Sequence, residues 1–433
     1  VVGGYDLKWV MNITNIDDKT IRDSAIGSDK WMPDMGEQTD DPKKNLEIFT
    51  KYYEEAFLND ISTLGINVDD FYALPRATEY IESMQDLIRS IVDKGFGYVS
   101  EGSVYFNLEE YRHNELYGKL KKIDFENFRA GARIDADQYD REQVSDFVLW
   151  KAKKPGEPYW EFEINGERCD GRPGWHLECS TMEHDILGLP FDIHTGGVDL
   201  KFPHHEDEIA QSKAGYGVEP TVFWLHNEFL QIESEKMSKS LGNVFTLRDL
   251  LVKDLDPLDI RFAMLCSHYG STLNFTFDGL KSSHKGRFRI QEYVYQLHDE
   301  KYGSKEADVD KLRNDVYSRL AHDLHTPKAL AYIFSFMNDN EAHDLTEGTQ
   351  KELINFFTDM NRIFGIWEIG PRKEEEVEIP DEVKEMAEKR HQERKNKNFS
   401  EADRLRDEIR KLGYVIEDTK DSYKIEPVSI YEE

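Results

Sequence analysis

The stretch that most constrains this chain is Phe202-Pro203-His204-His205-Glu206-Asp207-Glu208, followed by Ile209-Ala210. A proline with its fixed φ suits the first turn of a helix, and the acids after it suit the positive end of the helix dipole. Residues four apart on such a helix share a face, so His204 and Glu208 point the same way. An imidazole and a carboxylate aimed at one point form half of a zinc site, and a cysteine is the residue best able to extend it. Cys179, in Gly174-Trp175-His176-Leu177-Glu178-Cys179-Ser180, is the candidate. An isolated H-x-x-x-E start is more often a solvated charged turn, so the surrounding segments decide the matter.

Composition bounds the rest. A chain of 433 residues with 39% hydrophobic content can fill real cores, and at roughly 100–200 residues per domain it has room for two to four. No apolar run approaches the ~20 residues of a membrane span, and Val-Val-Gly-Gly-Tyr-Asp-Leu-Lys is no signal peptide, so a cytoplasmic location is expected. Cys169, Cys179 and Cys266 are too few for a disulfide framework and fit a metal or a buried thiol. With 86 acids against 55 bases the net charge is −31. That repels polyanions at long range, so any nucleic-acid contact needs a local basic face. The chain opens on Val1, inside a β-rich run, and reads as a fragment lacking its natural start.

In chain order, Tyr5 to Thr14 predicts a strand, Asn15 to Lys19 a turn, and Thr20 to Ala25 a helix that Asp17 or Asp18 can cap. Such a strand end is where α/β folds place ligands. Residues 33–43 are loop. Leu46 to Leu64 and Pro75 to Lys94 have helical apolar spacing. From Gly95 to about Arg168, short β-like runs (Phe96 to Val99, Val104 to Leu108, Phe147 to Trp150) suggest a small inserted module without a catalytic constellation. Asp170 to Gly174 reads as a tight turn. Phe191 to His194 is a strand leading into Thr195-Gly196-Gly197-Val198-Asp199, where glycines admit a ligand to the backbone and an aspartate can accept from ribose hydroxyls. Val222 to Ile232 is a further strand, running into Glu235-Lys236-Met237-Ser238-Lys239-Ser240-Leu241-Gly242. Two ammoniums and two hydroxyls there suit a polyphosphate whose charge grows in a transition state.

Lys236-Met237-Ser238-Lys239-Ser240 resembles the second signature of class I aminoacyl-tRNA synthetases. Asn12 to Lys19, Gly171 to Cys179, and Gly196 to Glu206 resemble the cysteinyl-tRNA synthetase family, and the likeness runs through nearly the whole chain. The resemblance implies an α/β, Rossmann-type class I nucleotide-binding fold, N-terminally incomplete, with a small inserted domain and a C-terminal α-helical tRNA-binding domain. It implies one zinc ion, held in the family by two cysteines, a histidine and a glutamate, of which Cys179, His204 and Glu208 match three. The fourth belongs to an upstream segment that also carries the His-Ile-Gly-His signature, and neither occurs here. This chain is therefore expected to be a catalytically incomplete piece of an active enzyme.

By that resemblance the substrates are L-cysteine, ATP with Mg2+, and tRNA(Cys). The cysteine carboxylate attacks the α-phosphate of ATP and expels pyrophosphate, and a terminal tRNA hydroxyl then takes the acyl group. Zinc would read the substrate thiol, which shape alone separates poorly from the serine hydroxyl. Trp175 would floor the amino-acid pocket, with Thr14 and His176 near its polar end. Lys239, supported by Lys236 and with Ser238 beside them, would neutralise pyrophosphate, while Gly196, Gly197 and Asp199 would meet the nucleotide.

The remaining sequence is helical: Thr246 capping Leu247 to Lys253, then Leu258 to His268 with Cys266 in the core, Phe288 to His298, Lys311 to Asp323, Thr326 to Met337 and Thr349 to Ile363. Ser267 to Phe275 resembles the family's stretch after the signature loop, except that Gly270 stands where arginine is expected. Residues 371–382 are an acidic linker. Val383 to Gly413 is a helical pair whose densest positive cluster is Lys389 to Lys397. The divisions read as catalytic 1–100 and 169–245, insert 101–168, stem contact 246–305 and anticodon binding 306–433, in a monomer. Two rival readings remain: a related ligase joining cysteine to an amino-sugar acceptor, which would have no need of the helices beyond residue 310, and a non-catalytic, zinc-stabilised tRNA-binding fragment.

Overall fold

The computed structural model describes residues 4–123, 125, 133–134, 146–237, 242–373, 379–418 and 422–427. The chain divides into two compact units, Val1–Met237 with Tyr269–Asn274, and Ser238–His268 with Phe275–Glu433.

In the first unit, the segment expected as a strand over 5–14 forms no continuous strand, and among the described residues it pairs through isolated parallel bridges of Val10 with Ala73 and of Ile13 with Arg76. Met11 and Ile13 donate to the carbonyls of Ala73 and Pro75 at 3.2 and 2.8 Å. Pro75 has no N–H to return, so the ladder stays broken. The helix Asp18–Ser24 starts in a capping box of Asp17 and Thr20. Asp17 is therefore the cap, and Asp18 is instead held by Lys151 and Arg172. The helix Pro42–Thr63 begins on an Asp41 cap with proline in its first turn, as the fixed φ of proline favours. Ile81–Asp93 buries Ile81, Met84, Leu87, Ile88 and Ile91 on one face. Residues 75–80, expected as part of it, hold only the short 3-10 turn Ala77–Glu79.

A sheet follows, with Gly97–Ser100 antiparallel to Ser103–Phe106 and Asp146–Ala152 beside the latter. Gly171–Pro173 is a strand on Asp146–Ala152, which corrects the tight turn expected at 170–174. A Cβ on Gly171 would lie 1.8 Å from the Lys151 carbonyl oxygen. Glycine is needed here for close strand approach, not for turning. One continuous core joins Ile16, Ile88, Phe106, Trp150, Leu177 and Phe202.

The strand then leads straight into the helix Trp175–Leu187. After it, Phe191–Gly197 runs parallel to Thr221–Asn227, and the crossover between them is the helix His204–Tyr216. Parallel strands require such a crossover, and this one carries the His204 and Glu208 pair. The strand expected over 222–232 breaks at Glu228 and Phe229, whose backbones bond to Tyr269 and Leu273.

The second unit holds the helices Leu247–Leu251, Pro257–Leu265, Phe277–Gln296, Val309–Ala321, Thr326–Asp339, Glu347–Phe364, Asp381–Lys395 and Phe399–Lys411. Its main core includes Ile290, Val316, Ile333, Phe356, Phe357 and Phe364. The last two helices carry the hairpin Tyr414–Asp418 with Tyr423–Pro427. Cys266 caps the end of Pro257–Leu265 and is exposed, which corrects its expected place in the core. No helix among the described residues is long and apolar enough to cross a membrane.

Candidate metal and substrate site

Three elements converge here. Trp175–Leu187 carries Trp175, His176, Cys179 and Glu183, Phe191–Gly197 carries His194, and His204–Tyr216 carries His204, His205 and Glu208. The ligand atoms of Cys179, His204 and Glu208 all lie within 4.8 Å of one another. Cys179 Sγ is 3.7 Å from His204 Nε2, and Glu208 Oε1 is 2.9 Å from the same nitrogen. Zinc bonds of ~2.3 Å to sulfur and ~2.0 Å to nitrogen set a tetrahedral S···N edge of about 3.5 Å, so the pair is spaced as two ligands of one ion would be. Neither oxygen of Glu208 meets a donor in hydrogen-bond geometry among the described residues, although the residue is fully buried. A buried carboxylate in that state is costly unless something satisfies it, and a cation among S, N and O donors would. The residues fit zinc.

Electrostatics agree. Burial pushes the Cys179 thiol far up, and the Glu208, Glu183 and Glu178 carboxylates push it further. Burial also pushes Glu208 up, but the imidazoles of His194, His204 and His205 outweigh it and hold the group low. Cys179 is therefore a neutral thiol on its own, and it becomes a thiolate where a cation among these donors displaces its proton.

Around the triad lies an aromatic and imidazole shell. Trp175 stacks on His204 with centroids 4.0 Å apart. His176 Nδ1 is 2.6 Å from His204 Nδ1, and its Nε2 is 3.4 Å from Asp207 Oδ2. A second group, His194, His205 and Glu208, also brings its ligand atoms within 4.8 Å. His194 Nδ1 sits 3.0 Å from Glu183 Oε1. Burial lowers His194, but Glu208 and Glu183 raise it to about 9, while burial lowers His205 to about 3. His205 Nδ1 is 2.8 Å from His226 Nε2.

The sequence reading missed His194, His205, His226 and Glu183. The one signal available was that Glu183 stands four after Cys179, as Glu208 does after His204.

Among the other expected site residues, Thr14 accepts from Asn12 at 3.3 Å and makes no hydrogen bond to the imidazole shell among the described residues. Gly196 lies under the His205 ring, where a Cβ would meet Cε1 at 2.7 Å, and a Cβ on Gly197 would meet Asp199 Oδ1 at 2.4 Å. The glycines therefore admit this chain's own side chains closely. Asp199 is exposed. Lys236 pairs through its backbone with Gln231, and its side chain, with Ser238 and Lys239, lies outside the described residues.

The family description "tRNA synthetases class I (C) catalytic domain" matches residues 1–285, and "Cysteinyl-tRNA ligase anticodon binding domain" matches 376–424. The Cysteine–tRNA ligase of Protochlamydia amoebophila is 39% identical over 430 residues, spanning 96% of this chain and 84% of that protein.

The chain belongs to the cysteinyl-tRNA synthetase family.

A second member, from Caldicellulosiruptor saccharolyticus, is 39% identical over 98% of this chain and 88% of its own length. The class I fold is shared more widely: a Campylobacter jejuni structure described as an arginyl-tRNA synthetase superposes with a TM-score of 0.52 at 11% identity, covering 85% of this chain and 86% of that one. In this cysteinyl-tRNA synthetase family chain, the imidazole shell lies inside the segment matched to the catalytic domain. The helical pair Asp381–Lys395 and Phe399–Lys411, which carries the positive cluster from Lys389 onward, lies inside the segment matched to the anticodon-binding domain.

Proposed function

We propose that this chain is a cysteine–tRNA ligase, activating L-cysteine with ATP and passing it to tRNA(Cys), and that Cys179, His204 and Glu208 hold a zinc ion that selects the amino acid. The observation carrying the metal assignment is the convergence of a sulfur, a nitrogen and an oxygen within 4.8 Å in a buried setting, with the Glu208 oxygens otherwise unsatisfied among the described residues. When bound, zinc supplies a soft centre that prefers a thiolate over an alcohol, the discrimination that shape alone cannot provide.

The chain's own residues do the rest. Trp175, stacked on His204, holds the imidazole plane and presents a wall to a small side chain. His176, buried between His204 and Asp207, fixes which nitrogen of His204 faces inward, because its neighbour Nδ1 is already engaged. Gly196, Gly197 and Asp199 at the end of Phe191–Gly197 form the nucleotide edge of the site, where open α/β sheets bind such ligands. Lys239, with Lys236 and Ser238, neutralises the charge that grows on the pyrophosphate as the cysteine carboxylate attacks the α-phosphorus and the bond to the leaving group breaks.

We assign 1–100 and 169–245 to the catalytic domain, 101–168 to the insert, 246–305 to a stem-contact region and 306–433 to tRNA anticodon recognition. The match of 376–424 to the family's anticodon-binding description supports the last of these. It also favours tRNA over an amino-sugar acceptor.

The deciding experiment measures zinc and cysteine-dependent pyrophosphate exchange in parallel, in the enzyme carrying the upstream segment that the family resemblance implies. Lys239→Ala should lower exchange by on the order of 10²–10³, the usual cost of losing one transition-state charge partner, with zinc content unchanged. Cys179→Ser should remove the zinc. Unaltered exchange in the first, or stoichiometric zinc in the second, would refute the corresponding role.

A further inference from the structure

The crossover helix His204–Tyr216 carries two adjacent buried acids: Asp207, which stands beside His176, and Glu206, which the zinc reading leaves without a task. Glu206 and Asp207 are 1% and 0% exposed. Glu206 accepts four backbone N–H groups from one loop: Gly118 and Lys119 onto Oε2 at 3.0 and 3.1 Å, and Leu120 and Lys121 onto Oε1 at 2.5 and 3.1 Å. Asp207 Oδ1 accepts from the Tyr117 hydroxyl at 2.5 Å. Five consecutive loop residues therefore close on two consecutive helix residues. Gly118, at φ +98°, gives the loop a turn that L side chains rarely adopt, and successive N–H groups aimed inward make an anion-binding nest.

The placement on the helix is informative. At about 100° per residue, Glu206 lies roughly 200° round from both His204 and Glu208. The loop therefore grips the face opposite the metal ligands. A helix held from behind on both oxygens of one carboxylate can neither roll nor slide without breaking charge-assisted hydrogen bonds, which are the strong ones. Rolling is the motion that would turn His204 and Glu208 away from Cys179. Tyr117 to Lys121 belong to the stretch that carries no catalytic constellation, and this grip gives that stretch a role in the chemistry.

We propose that Glu206 is a positioning residue, held by the nest at Gly118 to Lys121, that fixes the rotational register of the helix bearing His204 and Glu208. What it positions rests on the zinc reading above; that the loop clamps the helix does not.

The test uses Glu206→Gln, Glu206→Ala and Gly118→Ala in the whole protein, the last acting only from the loop side. Hydrogen exchange at the amides of residues 118–121 reads the clamp itself. Zinc affinity by chelator competition, and the ratio of cysteine to serine in pyrophosphate exchange, read what it positions. Glu206→Gln keeps one acceptor oxygen and should weaken zinc by roughly 10-fold, and Glu206→Ala by roughly 100-fold, the range seen when groups behind metal ligands are removed. Gly118→Ala should move the same readouts in the same direction.

Faster exchange at 118–121 with unchanged zinc affinity and unchanged discrimination would overturn the proposal, leaving Glu206 a structural anchor only. Unchanged exchange in Glu206→Ala would overturn the clamp. A His204→Ala control that still binds zinc at the parent affinity would sink the metal reading separately, and the clamp would then stand or fall on exchange and on the KM for cysteine.

Discussion

Two helices of this chain are built on opposite principles. Glu347–Phe364 buries Leu353, Phe356, Phe357, Met360 and Phe364 along one stripe, the amphipathic pattern that drives a helix onto a core without specifying partners in detail. His204–Tyr216 buries every residue from His204 to Ser212, and most of them are polar or charged. Burying such groups costs free energy unless each finds a partner. Much of the set has partners: the nest for Glu206, Tyr117 for Asp207, His226 for His205, and Ser180 for Gln211 Oε1 at 2.8 Å, while Gln211 Nε2 and Ser212 Oγ meet no hydrogen-bond partner among the described residues. The first helix is held by area and tolerates reshaping. The second is held by a set of specific matches, and its ligand face is what those matches leave over.

The largest break in that contrast is His204→Ala. Zinc, measured by elemental analysis of the purified protein, should fall from stoichiometric to background, and cysteine activation should fall with it, while the protein stays folded with a lowered thermal midpoint, because zinc stabilises only the native state and the matches behind the helix persist. Phe357→Ala should do the reverse. Removing a fully buried ring costs about 3–5 kcal/mol, seen as a lowered denaturation midpoint, with zinc content intact. A Phe357 variant that lost its zinc, or a His204 variant that unfolded, would erase the distinction.

How much was legible follows the same division. Helices closed by local signals were readable: Asp17 and Thr246 cap as expected, and the stripe of Glu347–Phe364 gives its own period. That Cys179, His204 and Glu208 come together was readable because two of them share a helix turn and a cysteine is the donor that best extends an imidazole and a carboxylate. His194, His205 and His226 were not, since each is a single imidazole on a different part of the crossover unit and nothing local separates a ligand shell from a satisfied core histidine. Asp170 to Gly174 misled because glycine and proline signal turns locally. The strand Gly171–Pro173 forms only because Asp146–Ala152, distant in sequence, lies against a missing Cβ. What escaped the sequence was tertiary in origin.

Between the two extremes stands the C-terminal helical pair, and it sharpens the comparison. Its small apolar core of Val383, Ala387 and Ile409 is supplemented by specific matches, the most buried of them Arg390 to Asp418 at 2.9 and 3.0 Å, with Arg390 4% exposed. Asp418→Ala strands a buried guanidinium and should destabilise this element by about 1–3 kcal/mol, read as faster amide exchange in Asp381–Lys395. No change would mean that the apolar packing alone suffices.

The smallest effect concerns the surface of the same pair, where the question is binding and not folding. Arg390, Arg394 and Arg404 are engaged with Asp418, Glu401 and Glu408, so they contribute geometry more than field. Lys395 and Lys397 are exposed on a chain of net charge −31, where a basic patch must overcome long-range repulsion to hold a phosphate backbone. Neutralising both should weaken tRNA binding by roughly tenfold and lower the slope of log affinity against log salt by about 2, one for each phosphate no longer neutralised. Stability should not move, because neither side chain is buried. Gel shifts across a salt series measure both quantities, and an unchanged slope would move the tRNA-binding face away from this end of the helix.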